Sequence, residues 1–475
     1  MSTQTIVQHQ EAHELTALPA RETSTSRPSS ITSSSRDADE ETGIPAADSS
    51  RQAYKFLLAS FVVECLVWSF PNAYGIFFDY YITNTPLGSE SNAQFLLSLA
   101  GTCQSGFMYC SSPFVFYLQR RYPKYFQHTL WAGAIMHSIS LILTSFANAP
   151  YQIVLLQGIL YAMGGTLLAW SSFALIPEWF VRRRGLASGV CFAGTSVGGI
   201  FLPFLITLLL NKYGERVTLR ALGVSVFILL APVIPFIKRR VPYTSPKSSA
   251  YRRPKASTST STGGSKAWWK DEVLWLFSFA TIAQALGFFI TVLYLPNFAS
   301  SLGLKDIEGT TALAVLNACG TISRLGAGML ADYLSPFRVA AVSLSLSSLT
   351  VFLLWGLAST NFGALMAFSA VFGLVATGFT SLASGVIKHL AGEDASRNVM
   401  LFGVLTFTRG VGNILTSPVS SALVKDPKSP LGPRLDTIYS TTFGSVVIFS
   451  GVTLVVAGAM SLWASILQSR RKKVE

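Results

Sequence analysis

The sequence predicts an all-α membrane protein with twelve transmembrane helices in two pseudo-symmetric six-helix bundles, and three observations lead there. Half of the 475 residues are hydrophobic and only 12% are charged, whereas a soluble domain carries about 25% charged residues. Charge-free runs of roughly 20 residues recur after Lys55, each long enough to cross a hydrocarbon core of about 30 Å. The Lys and Arg residues gather in alternate loops.

Taken in order, residues 1–53 read as a disordered cytosolic tail. The first 50 residues hold 17 Ser/Thr and eight acids with no apolar run, too polar for a cleaved signal peptide or a packed core. Residues 54–238 then supply six spans, near 55–78, 93–118, 127–147, 151–176, 185–210 and 220–237. Residues 239–270 are rich in Ser/Thr and basic residues and read as a cytosolic linker. Residues 271–468 supply six more, near 273–296, 310–331, 338–358, 362–387, 398–422 and 440–467, and 469–475 form a basic tail.

With the N-terminus in the cytoplasm, the inner loops and the C-terminal tail hold 24 Lys/Arg against seven in the outer loops. This asymmetry predicts both termini inside. It also explains the net charge of +13 without nucleic acid, because the basic groups are scattered among spans and not gathered with aromatics on one face. The five cysteines all fall in apolar runs, and neither a CxxC pair nor ligand-spaced histidines predict a metal. No cofactor is expected.

The halves resemble each other. The link between spans 2 and 3, Ser112 to Arg121, stands where Gly326 to Tyr333 stands between spans 8 and 9. Span 5 carries Gly194, Gly198 and Pro203, and span 11 carries Gly403, Gly410, Gly412 and Pro418. Parallel six-helix repeats with small residues at crossings suit two halves rocking about a mid-membrane site.

Ionisable residues deep in a span cost roughly 2.5–3.5 kcal/mol on insertion scales, so each is a functional candidate. Three stand out: Glu64 in span 1, Arg324 in span 8 and Arg409 in span 11. A guanidinium can hold a carboxylate through two parallel hydrogen bonds, and a desolvated carboxylate suits proton coupling. The alternative for each is a structural tie between helices. Trp68, Tyr74, Tyr161 and Trp170 are candidates for lining a roomy cavity, or for packing.

Trp179-Phe180-Val181-Arg182-Arg183-Arg184-Gly185-Leu186-Ala187-Ser188-Gly189, followed by Ala193-Gly194-Thr195-Ser196-Val197-Gly198, resembles the span 4 to 5 junction of the major facilitator superfamily, specifically its monocarboxylate transporter-like family in the fungal form. Phe70-Pro71-Asn72-Ala73-Tyr74-Gly75, Leu295-Pro296-Asn297-Phe298-Ala299 and the stretch from Arg324 to Asp332 are similar too. The likeness spans roughly residues 54 to 470. It implies an organic, often anionic, substrate and a substrate-linked role for Arg324. The chain departs from the family at three places. Ser50-Arg51-Gln52-Ala53-Tyr54 replaces the acidic-Gly-Gly-aromatic opening of span 1. Asn72 and Gly320 stand where some animal members carry the lysine and aspartate of proton-coupled lactate movement. Glu64 is the candidate replacement for that aspartate.

The expected function is secondary active transport of a small, carboxylate-bearing metabolite, with protons as the candidate coupling ion. The alternatives are an exporter of a fungal secondary metabolite and a non-transporting membrane sensor. An enzyme is not expected, because no GxxxxGK[ST], HExxH, GxSxG or well-placed GxGxxG occurs. Candidate substrate-binding residues are Arg324, Asn72, Tyr74 and Arg409, and Glu64 is the proton-coupling candidate. Glu178, Arg182, Arg183, Arg184 and Asp332 are candidates for a cytoplasmic gate. The expected setting is the plasma membrane, with the vacuolar membrane as the alternative, and no oligomer is required.

Overall fold

The computed structural model describes residues 45, 48–90, 92–181, 183–240, 271–358, 361–391, 395–423 and 443–474. These are helical almost throughout, with no strand among them. Most of the 239–270 linker and of the N-terminal tail lies outside them.

The first half runs α1 (Arg51–Asn84), α2 (Ala93–Cys110, continued by Ser112–Arg121), α3 (Phe126–Thr144) and α4 (Pro150–Trp179). α5 and α6 are the two limbs of one long helical stretch, Arg184–Phe236. The second half runs α7 (Glu272–Ser301), α8 (Asp306–Tyr333), α9 (Pro336–Leu357), α10 (Phe362–Ala391), α11 (Ala395–Leu423) and α12 (Gly444–Val474). Among the described residues nine helical stretches are long and apolar enough to cross a membrane. The 53-residue stretch Arg184–Phe236 would reach about 80 Å as one rod, too far for a single crossing. It turns back at Gly214, whose φ of 76° is the left-handed region that glycine enters freely. The sequence suggests a loop there, but the helical stretch continues on both sides of this one residue. Counting both limbs, and adding α2 and the 19-residue α3, gives twelve crossings.

Local chemistry starts and bends these helices. Ser50 caps α1 by accepting from the Ala53 N–H, and Asp271 caps α7 through the Val273 N–H. Each cap satisfies a donor that the helix leaves unpaired. Prolines interrupt α1 (Pro71), α5 (Pro203), α7 (Pro296) and α11 (Pro418). These are the same two helices in each half, and the missing N–H favours a bend. Threonines within the spans return their hydroxyls to the preceding turn, as Thr166 does to Ala162 O at 2.6 Å and Thr281 to Phe277 O at 2.8 Å. Those polar groups therefore need no solvent.

Packing repeats with a six-helix offset. α1 lies on α5 as α7 lies on α11, α2 on α4 as α8 on α10, and α3 on α6 as α9 on α12. Two long seams join the halves, α5 against α8 and α2 against α11, and α1 meets α7 on the axis. The outward faces carry large exposed apolar side chains such as Phe201, Leu208, Val342 and Trp463, the surface a bilayer covers. The end where α1 begins and α2 finishes is called the inner end below.

Candidate functional site

Three charged side chains lie buried near the axis. Glu64 on α1 is 1% exposed, Arg324 on α8 7% and Arg409 on α11 6%. Arg324 crosses the α5–α8 seam, donating to Phe192 O at 3.3 Å and to the hydroxyls of Thr195 and Ser196. The Trp68 indole donates to Glu64, and Arg324 acts on that carboxyl from within electrostatic range. No ion pair joins the two among the described residues. Glu64 Oε2 and the Nε atoms of Arg324 and Arg409 lack hydrogen-bond partners.

Arg409 sits in a ring cage. Its guanidinium carbon lies 5.4 Å from the Tyr109 ring centre, 5.8 Å from Phe288 and 5.2 Å from Phe289, and one of its Nη groups donates to Gln284 Oε1. The aromatic faces stabilise the cation without neutralising it. Two cations to one carboxylate leave the axis net positive.

The other two substrate candidates tie helices together. Asn72 donates to Thr195 O at 3.0 Å, linking α1 to α5. The Tyr74 hydroxyl donates to Leu97 O at 2.6 Å, and its ring fills the notch at Gly101. Tyr74 also borders a void of about 20 Å³ with Ser105, Phe289 and Asn413. Of the aromatic candidates, Trp170 lines the Arg409 cavity, whereas Tyr161 donates to Val67 O and packs against His137.

At the inner end, the Asp332 carboxylate of α8 accepts from the Gly185 and Leu186 N–H groups in the first turn of α5. An anion there meets unpaired amides and the positive end of the helix dipole. Lys388 of α10 lies within electrostatic range of it. Glu178 accepts from the Arg240 N–H and faces Arg239, both beyond α6. Arg183 is exposed and Arg184 half-buried, while Arg182 lies outside the described residues. Asp48, just before α1, accepts from the Val181 and Arg183 N–H groups at 3.2 and 3.3 Å. Between this end and the axis, Phe173 stacks on Phe402 at 4.8 Å, with Trp170 and Phe192 alongside.

The outer end holds a residue that sequence reasoning missed. Asp79 of α1 accepts from Asn297 Nδ2 at 2.9 Å and from the Ser300 hydroxyl at 3.2 Å, both on α7. It borders an outer cavity of about 360 Å³ between α1, α5, α7 and α8. The available signal was an acid in the same helix as Glu64, together with Asn297 in the Leu295 to Ala299 stretch.

A cavity of about 720 Å³ opens sideways among α8, α9 and α10 and is lined mainly by apolar groups such as Ile322, Val342 and Leu374. It holds none of the buried charges, so the axis is the better candidate despite its small voids.

Comparison with known proteins places this geometry in context. The family described as Major Facilitator Superfamily matches residues 56–339, more than half of the chain. The "MFS-type transporter pynF" of Aspergillus niger is 28% identical over 405 residues, covering 85% of this chain and 89% of that protein. The "Aspyridones efflux protein apdF" of Emericella nidulans is 23% identical over 415 residues, 87% and 80% of the two chains. The "Agnestins efflux protein AgnL12" of Paecilomyces divaricatus is 25% identical over 441 residues, 91% and 94%.

Proposed function

This chain belongs to the Major Facilitator Superfamily, a multi-pass membrane transporter, and on that premise we propose that it carries an organic acid outward through the axis between its two halves. The observation that carries the substrate reading is the pair Arg324 and Arg409, both buried and each with an unpaired Nε, with Glu64 the one buried acid among the described residues. An anion entering there gains charge-assisted hydrogen bonds that nothing on the axis now supplies. The outward direction is supported by relatives whose names describe efflux. The likeness to monocarboxylate transporter-like proteins supports the carboxylate but not lactate, given Asn72 and Gly320.

In this reading the inner end faces the cytoplasm, as the loop charges predict. Asp332 on the α5 helix end and the Phe173–Phe402 stack close the inner mouth, and Asp79 with Asn297 and Ser300 closes the outer one. Opening alternates between them, as paired repeats rocking about a fixed site require. Arg183 and Arg184 shape the α4–α5 turn through their backbone. Asn72 and Tyr74 set where α1 sits and act on the substrate indirectly. Glu64 takes up a proton when Arg324 turns to the substrate. The plasma membrane is the setting that suits export.

The test compares metabolites inside and outside cells with and without the gene. An organic acid retained on deletion is expected; neutral compounds alone being retained, or no change, would overturn the reading. Glu64→Gln, present at normal levels in the membrane, is expected to flatten the pH dependence of export. An unchanged pH profile would remove Glu64 from the coupling step.

A further inference from the structure

The cavity beside Arg409 has a composition that specifies more than charge. Six of its lining residues are aromatic: Tyr109, Trp170, Phe192, Phe277, Phe379 and Phe402. Arg409 supplies the only charge in that lining, and three threonines with Tyr109 the hydroxyls. Several rings meet face to face across helix boundaries. Phe277 of α7 stacks on Phe379 of α10 with centres 5.6 Å apart and planes 17° apart. Just inside the inner mouth, Phe173 of α4 stacks on Phe402 of α11 at 4.8 Å and 20°. The room left is about 30 Å³, enough for about two waters and far less than an organic acid needs.

We propose that this cavity takes a planar, conjugated organic anion, with its charged group on Arg409 and its ring system held between aromatic faces. The proposal rests on the organic-acid reading above and narrows it. When two stacked faces part by about 3.5 Å, the contact distance of carbon atoms, they form a slot for a flat molecule, and each face exchanges one aromatic partner for another. A saturated ring system of the same outline is thicker and offers no π face, so it forfeits the stacking preference. Arg409 is built to meet the anion. Tyr109, Phe288 and Phe289 hold its plane, Gln284 takes one donor, and Nε remains free at 94% burial. The Phe173–Phe402 pair bridges the two halves, so its parting belongs to the same movement that opens the inner mouth.

The experiment measures thermal stabilisation of the purified full-length protein by three probes. 2-Naphthoate is flat and anionic, decahydro-2-naphthoate is anionic but saturated, and 2-naphthylmethanol is flat but neutral. The expected result is stabilisation by 2-naphthoate at about one tenth of the concentration that either other probe needs, the ratio that one or two aromatic stacks supply against the saturated acid and a charge-assisted hydrogen bond supplies against the neutral alcohol. Arg409→Gln should abolish the advantage of naphthoate over naphthylmethanol. Phe379→Leu should shrink the advantage over the saturated acid while the need for a carboxylate persists, which keeps the idea testable if the arginine variant fails to fold. Equal stabilisation by the two acids would overturn the proposal, as would naphthoate binding indifferent to both variants. If the wild-type protein binds none of the probes while gene deletion still causes an organic acid to be retained, the planar class falls and the transport reading stands.

Discussion

The two seams that join the halves have matching positions and opposite chemistry. Along α5–α8 run two charged contacts, Arg324 on Phe192, Thr195 and Ser196, and Asp332 on the start of α5, with a Thr207–Thr310 hydroxyl pair at 2.8 Å near the outer end. Along α2–α11 the described hydrogen bonds are all between neutral groups, among them Ser98–Ser417 at 2.7 Å, Asn413 to Ser105 at 2.5 Å and Ser112–Thr406 at 2.5 Å, and the one cation there, Arg409, rests on the Tyr109 ring. There Gly410 sits so close to Cys110 and Gly106 O that any added Cβ would clash. A neutral, glycine-lined seam can slide at little cost. A seam that holds a guanidinium and a carboxylate in fixed cradles must break those contacts to move, and a ligand that binds the broken state better favours that step. On the transport reading proposed above, the α5–α8 seam is the switch and the α2–α11 seam the bearing.

The largest expected effect breaks that assignment directly. Arg324→Ala strands the Phe192 carbonyl and two hydroxyls and removes a cation from the axis. Transport per protein in the membrane should fall by more than about tenfold, the scale of losing buried charge-assisted bonds. Asn413→Ala on the other seam should cost less than about threefold. Equal losses at the two seams would end the distinction.

The next test sharpens it at the inner end. Asp332→Asn removes the anion from the first turn of α5, and amide exchange over residues 184–190 should quicken by about fivefold, the usual weight of a helix cap. Exchange over 397–403, at the matching start of α11, should not change. A rise in both segments would mean general loosening and no switch at Asp332.

The twelve crossings were legible in the sequence because lipid demands long charge-free runs, and the repeat was legible because Pro203 and Pro418 recur at matched places. Buried charge exposed Glu64, Arg324 and Arg409 for the same reason. Their partners were hidden. Arg409 meets Gln284 and three rings in place of an acid, and rings in apolar runs look like packing until helices α2, α7 and α11 come together. Asp79 escaped because its partner Asn297 lies 218 residues away and only the fold brings them together. The arginine triplet drew attention to side chains, whereas the contact that joins the halves there runs through the Gly185 and Leu186 amides, which no residue type announces.

The smallest expected effect compares the seams where they are most alike. Thr207–Thr310 and Ser98–Ser417 are both buried hydroxyl pairs near the outer end, at 2.8 and 2.7 Å. A hydroxyl pair between membrane helices contributes about 0.6 kcal/mol, so a double-mutant cycle to alanine on either pair should return that value by unfolding in detergent. If the seams differ only through their charges, the two coupling energies agree. A coupling at Thr207–Thr310 several times larger would mean that the α5–α8 seam is stiff along its whole length. Arg324 and Asp332 would then be clamps on a rigid wall, and the switching motion would have to be sought at α1–α7, where Asp79 holds Asn297.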